Sequence, residues 1–208
     1  MIQKAVKRLL DVAGASLALV VFSPLIAVVA VVVRSRVGSP ILFRQARPGR
    51  NGEPFWMVKF RTMTDGRTPD GALLSDEERL VEAGRWLRRW SFDELPELWN
   101  VVAGDMSLVG PRPLLMEYLP LYTDEQARRH EVRPGLTGLA QVSGRNELAW
   151  ERRFELDVWY IDNWSTWLDL KVLMMTVGQV LTGRGVSGEG QATMTRFEGS
   201  SEQERNGG

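Results

Sequence analysis

Hydrophobic and polar positions divide the chain near residue 36. Val12–Val33 is a run of 22 residues without a charged side chain. As one straight helix it would be about 33 Å long, enough to cross a bilayer. The run is too long for the core of a signal peptide, and no A-x-A-like site follows before Arg34. Ser23-Pro24 stands at its centre. Proline there removes an intrahelical hydrogen bond and kinks the helix, and a serine hydroxyl can serve a freed backbone group inside lipid. Beyond the run the pattern is that of a folded domain. Pro54–Met63 predicts a short strand with Lys59 and Arg61 on one face. Helical spacing marks Asp76–Trp90, with Leu80, Ala83, Leu87 and Trp90 on one stripe. It recurs over Leu95–Val102, within Leu114–Arg129, and over Trp150–Tyr160 and Leu168–Thr182. Ser39–Arg50 and residues 130–148 are punctuated by Pro and Gly and read as loop or short strand. Gly185–Gly208 is rich in Gly, Ser and Glu and predicts a loose tail. The expected division is a membrane element over 1–36, a folded unit over 37–184 and a tail over 185–208.

Charge changes this picture. The chain has 208 residues with 26 Lys+Arg and 26 Asp+Glu. Residues 1–50 hold eight Lys/Arg and one acid, Asp11, a balance of +7 that the other 158 residues offset. A basic end beside an apolar run points to an anionic lipid surface rather than to nucleic acid. Lys4, Lys7 and Arg8 precede the run, and Arg34 and Arg36 follow it. Both flanks therefore prefer the cytoplasmic face. A helix that dips in and returns satisfies both; a Pro-kinked spanning helix satisfies one. The residues alone leave the two open. Trp86, Trp90, Trp150, Trp159, Trp164 and Trp167 lie near Arg or Lys; singly each reads as a core aromatic, and as a group they favour a membrane interface.

Composition narrows the chemistry. Zero Cys excludes disulfides and thiolate nucleophiles, and a single His, His130, excludes a multi-His metal site within the chain. Neither G-x-x-x-x-G-K-[ST] nor G-x-G-x-x-G occurs. Carboxylates, hydroxyls, Lys and Arg remain. Ser91-Phe92-Asp93-Glu94-Leu95-Pro96 opens a predicted helix. Ser91 and Glu94 have capping-box spacing, and the residues by themselves favour that cap. A helix start at Asp93 instead leaves Pro96 in the first turn, where it is tolerated, with adjacent acids at the positive end of the dipole. Such a pair can hold a divalent cation, and one member can attack phosphorus. Arg112 stands between Pro111 and Pro113, Arg133 begins Arg133-Pro134-Gly135 and Arg145 follows Gly144. With Lys59 and Arg61 they form a cation inventory suited to a phosphate-rich substrate and phosphoryl transfer.

In order, these segments resemble the small monotopic phosphoglycosyl transferases, bacterial sugar transferases that begin membrane glycoconjugate assembly. The landmarks are Ser23-Pro24, Lys59-Phe60-Arg61-Thr62-Met63, Asp93-Glu94-Leu95-Pro96, Gly104-Asp105-Met106-Ser107, Val109-Gly110-Pro111-Arg112-Pro113 and Arg133-Pro134-Gly135-Leu136-Thr137-Gly138. Gln141, Gly144-Arg145-Asn146 and Phe154-Glu155-Leu156-Asp157 continue them. The length is similar to that of the minimal members. The resemblance implies a mixed α/β, mostly helical fold with interfacial amphipathic helices, a small strand element and a re-entrant membrane helix broken at Ser23-Pro24. It implies a UDP-sugar donor, a polyprenyl (undecaprenyl) phosphate acceptor, released UMP and required Mg2+. It implies a covalent phosphosugar on Asp93, with Glu94 as metal ligand beside Asp93 or as its orienter. Phosphate binding then falls to Arg112, Arg133 and Arg145, with Lys59 and Arg61 in support. Asp157 matches a family acid and equally fits a structural salt bridge. The implied location is the cytoplasmic face of the bacterial inner membrane, with the bilayer as partner and membrane glycosyltransferases acting downstream. Two other classes fit parts of the pattern. A membrane-anchored scaffold predicts tolerance of Asp93→Asn, and a metal-dependent phosphohydrolase predicts water as the acceptor.

Overall fold

The computed structural model describes residues 2–144, 148–182 and 196–199. The apolar run lies within one helix, α1 (Ile2–Arg36), which continues through Pro24. The expected break at Ser23-Pro24 therefore does not end the helix. Pro24 cannot donate to the carbonyl of Val20, four residues before it. Ser23 Oγ donates to that same carbonyl at 2.8 Å, so the acceptor orphaned by proline is served from the neighbouring residue.

Both ends of α1 rest on the same globular unit. Near its start, Lys7 Nζ donates to Asp169 at 2.7 Å, and Arg8 donates to the carbonyls of Val101 and Val102. The buried Asp11 carboxylate accepts from Ser107 Oγ and Leu108 N. Near its end, Val29 and Val33 pack with Phe60 and Leu87. The outward face, including Leu9, Leu17, Val20, Val21, Val28 and Val31, is apolar and exposed. The helix is long and apolar enough to cross a membrane, and such a face is suited to lipid.

Ser39–Arg50, expected as loop or strand, holds β1 (Leu42–Pro48), which pairs antiparallel with β2 (Pro54–Phe60). The single helix expected over Asp76–Trp90 is divided into α2 (Asp76–Arg79) and α3 (Glu82–Arg89). Leu80 is extended between them and forms a bridge to Met63, so a long-range contact overrides the local period. α4 (Glu97–Ala103) then leads to β3 (Ser107–Val109), which pairs parallel with β4 (Gly135–Thr137). A Cβ on Gly135 would meet Gly110 N at 2.1 Å, so glycine permits this close pairing. The helix expected within Leu114–Arg129 reduces to 3-10 turns at Met116–Leu121 and Arg128–His130 around α5 (Asp124–Ala127). Pro120 lies inside the first turn.

α6 (Leu139–Gly144) falls where sequence predicts loop or short strand, while α7 (Trp150–Asp162) and α8 (Thr166–Thr182) match the predicted helices closely. α8 exposes Trp167, Leu170, Met174, Val177 and Leu181. Of the grouped tryptophans, Trp86, Trp159 and Trp167 are exposed, whereas Trp150 packs in an aromatic cluster. The expectation of a wholly loose tail is corrected at Phe197, which is buried among Tyr118, Trp150 and Phe154. Apolar aromatic area outweighs the polar composition around it.

Candidate active site

The turn before α4 places the acids. Ser91 has φ +55°, reversing the chain after α3, and its side chain makes no capping bond. The capping-box expectation is thus corrected: a left-handed Ser91 is not in the extended conformation from which an N-cap hydroxyl reaches the next turn. Phe92–Glu94 forms a 3-10 turn, and Pro96, at φ −65°, precedes the first residue of α4. Asp93, Glu94 and Glu97 consequently lie within one turn of each other.

α4 is tied to β2 by Asn100. Its Oδ1 accepts from Val58 N at 3.1 Å and its Nδ2 donates to Trp56 O at 2.8 Å. Lys59, next on the strand, places Nζ 2.9 Å from both Glu94 Oε1 and Glu97 Oε1. Arg112 Nη2 also donates to Glu94 Oε1. Glu94 is therefore held between two cations. Burial opposes its ionisation, but Arg112 and Lys59 outweigh burial and keep its carboxyl well below the usual range. Burial acts in the same sense on its neighbours, and there it prevails. Asp93, only 8% exposed, is pushed up by burial and by the Glu94 charge, against the pull of Lys59, Arg88 and Arg112. Glu97 is pushed up by burial and by Glu94, against the pull of Lys59. Sequence reading missed Glu97; its position one helical turn beyond the acid pair was the available signal.

Asp93, Glu94, Lys59 and Arg112 line a cleft of about 1460 Å³. Its polar end holds Asp93, Glu94, Lys59 and Arg112, and its apolar walls include Phe22 and Leu25 of α1 and Val177 of α8. A charged group and a long apolar chain can be accommodated together.

The other expected site residues divide. Arg61 lines the cleft, but β2 ends at Phe60, so the alternation predicted to pair it with Lys59 does not extend to it. Its guanidinium donates to the carbonyls of Ser39 and Met63 and pairs with Asp65. Arg133 donates to Gly104 O at 2.7 Å and does not join the acids. Arg145 lies outside the described residues. Asp157 is buried in a pair with Arg129, whose Nε and Nη2 donate to Asp157 Oδ2 at 3.1 and 2.7 Å. Arg129 also donates to Arg112 O and to the Tyr122 hydroxyl. Asp157 and Arg129 also line the cleft, but the Asp157 carboxylate is taken up by Arg129, the salt-bridge alternative weighed from sequence. Arg129 was missed there because a surface-type residue gives no local sign of burial. Burial brings His130 down to about 4, so it is neutral at pH 7.

The family described as bacterial sugar transferase matches residues 2–183. The chain is 57% identical over 194 residues to the uncharacterized sugar transferase EpsL of Bacillus subtilis, covering 93% of this chain and 96% of that one. It is 44% identical over 189 residues to the UDP-glucose:undecaprenyl-phosphate glucose-1-phosphate transferase of Caulobacter vibrioides, covering 85% and 70%. A protein of the same description from Klebsiella pneumoniae is 41% identical over 181 residues, covering 82% of this chain and 39% of its own.

Proposed function

The chain belongs to the bacterial sugar transferase family, and we propose that it transfers a sugar phosphate from a UDP-sugar to a polyprenyl phosphate such as undecaprenyl phosphate, releasing UMP. The observation that carries this reading is the meeting, in one cleft, of an acid pair, Asp93 buried and Glu94 half-buried, beside cations and an apolar wall supplied by α1. The polar end takes the diphosphate and the apolar wall takes the lipid acceptor.

The reaction runs in two displacements. An ionised Asp93 oxygen attacks the phosphorus that bears the sugar. The bond from that phosphorus to the UMP oxygen breaks, and UMP leaves with the electron pair. The aspartyl phosphosugar is a mixed anhydride. An oxygen of polyprenyl phosphate then attacks the same phosphorus, the bond to Asp93 breaks, and the carboxylate is restored with polyprenyl-diphosphate sugar as product. Glu94 is the poorer nucleophile, because Lys59 and Arg112 hold its Oε1 and lower the basicity of the carboxylate. It orients those cations toward the incoming phosphates.

The donor set fits Mg2+ held jointly with substrate. Asp93 and Glu94 are hard oxygen donors, and among the described residues no group of three or more His, Cys, Asp or Glu is placed to hold a metal. Substrate phosphate oxygens and water would complete the coordination. Asp93 is the better placed ligand, since Glu94 Oε1 is already shared. When bound, Mg2+ would neutralise diphosphate charge and stabilise the leaving UMP.

In this reading α1 enters and leaves the cytoplasmic leaflet of the inner membrane, with the catalytic unit on the cytoplasmic face. The support is that Lys7, Arg8 and Asp11 at one end of α1 and Val29 and Val33 at the other hold the same unit. A spanning helix would carry one set away. Labelling of a single Cys at residue 2 in intact cells tests this; periplasmic labelling would restore a spanning anchor. Activity is tested by UMP release across a panel of UDP-sugars, with and without undecaprenyl phosphate. Intact mass should show a phosphosugar adduct on the wild type and none on Asp93→Asn. Absence of UMP release with every donor, or the same adduct on Asp93→Asn, would sink the reading.

A further inference from the structure

We propose that Arg47, with Gln45 and Arg112, forms a second phosphate-binding subsite on the floor of the cleft. The register places it there. Gln45 and Arg47 are two residues apart on β1, opposite Met57 and Phe55 of β2, and Lys59 follows Met57 on that same face. Gln45, Arg47, Met57 and Lys59 all line the cleft. The turn after β1 brings Arg47 toward the Arg112 loop, for Pro48 shares a small cavity with Pro111 and Pro113.

The other cleft cations with described partners are already engaged. Lys59 pairs with Glu94 and Glu97, Arg112 with Glu94, Arg61 with Asp65 and Arg129 with Asp157. Arg47 differs. Its Nη2 donates to the neutral Gln45 Oε1 at 2.7 Å, and its buried Nε has no hydrogen-bond partner. A buried, unused guanidinium donor is costly. Burial and the like charge of Arg112 bring Arg47 down to about 10, partly offset by Glu97. It remains cationic at pH 7, so the strain persists. An anion between the two guanidiniums relieves both the repulsion and the orphaned donor. Paired guanidiniums with an amide beside them match phosphate oxygens.

The phosphate could come from the UDP-sugar or from the polyprenyl phosphate. The subsite rests on the transferase reading for that choice of source; its existence rests on β1 and the cleft.

The test uses the full chain in detergent and two readouts. Thermal shift against inorganic phosphate is measured on wild type, Arg47→Gln, Arg47→Lys and Arg44→Gln. Arg44 is exposed and points to the opposite face of β1 by alternation. Wild type and Arg44→Gln should be stabilised alike. Arg47→Gln should weaken the apparent phosphate affinity about tenfold, the scale of one hydrogen bond to a charged group, with Arg47→Lys between. If Arg47→Gln fails to fold, Arg47→Lys carries the comparison. Equal phosphate response in wild type and the folded Arg47 variants, or none in wild type, overturns the subsite. Kinetics then identify the source. A raised KM for the UDP-sugar assigns the donor diphosphate, a raised KM for polyprenyl phosphate assigns the acceptor, and no change in either overturns the proposal. Wild type that binds phosphate through Arg47 but releases no UMP would instead sink the transferase reading and leave the subsite standing.

Discussion

Two acid–cation clusters flank Arg112, and they are built oppositely. Behind it, Arg129 and Asp157 form a closed pair, both buried, with the remaining Arg129 donors ending on the Tyr122 hydroxyl and the Arg112 carbonyl. In front, Asp93 and Glu94 line the cleft with Lys59 and Arg112, and the buried Glu97 pairs with Lys59. The closed pair sets one carboxylate against one guanidinium, with Arg153 also acting on Asp157. The open cluster sets three carboxyls against Lys59 and Arg112, with Arg88 also acting on Asp93, and the carboxyls respond differently: burial raises Asp93 and Glu97, while the cations hold Glu94 down. Balance suits a buried structural pair, since an uncompensated charge inside a protein is expensive. Imbalance beside a cleft is what a site awaiting a charged ligand shows.

Breaking the open cluster should cost activity and little stability. Asp93→Asn should lower UMP release by at least roughly three orders of magnitude, because the amide cannot serve as nucleophile. Its melting temperature should stay near that of wild type. Substantial turnover by the folded variant would contradict the nucleophile assignment. Breaking the closed pair should do the reverse at first. Asp157→Asn strands the Arg129 charge and should destabilise by about 3–5 kcal/mol, read by denaturant unfolding. Activity loss should follow only as Arg112 loses its backbone anchor. Replacing both partners, Arg129→Met with Asp157→Leu, should recover much of the stability. If the double variant is as unstable as Asp157→Asn, the pair is not the self-contained unit described.

The smallest expected effect is on pH dependence, and it sharpens the contrast. Asp93 attacks only when ionised, and its pKa is raised by burial and by Glu94. Activity should therefore fall on acidification at a higher pH than an ordinary aspartate would give, about 3.9. Lys59 and Arg112 pull that pKa down, so Lys59→Met should move the acid limb of kcat/KM further up in pH. An unchanged limb in Lys59→Met would place the titrating group outside this cluster.

Much of the site was legible in residue types, and little of its pairing was. Asp93, Glu94, Lys59 and Arg112 were marked by an acid pair at a helix start and by cations in stiff settings, and the fold gathers all four. Arg61 and Arg133 carried the same marks, yet backbone carbonyls take their donors. Arg129 and Arg47 carried no mark of their own, and Glu97 only its spacing of one helical turn from the acid pair. Their importance comes from burial, which depends on elements distant in the chain.

The sequence by itself determined what acts within a few turns. The uncharged run in α1, the serine before its proline, the periods of α7 and α8 and the acids before α4 are local properties set by side-chain type and backbone sterics. Tertiary structure decided which charges meet. Lys59 reaches Glu94 across 35 positions, Arg129 reaches Asp157 across 28 and Arg112 reaches Glu94 across 18. It also divided the predicted helix at Leu80 and buried Phe197 from a tail of polar composition. Electrostatic energy depends on distance and on exclusion of water, and neither exists for a pair of residues until the chain between them has folded.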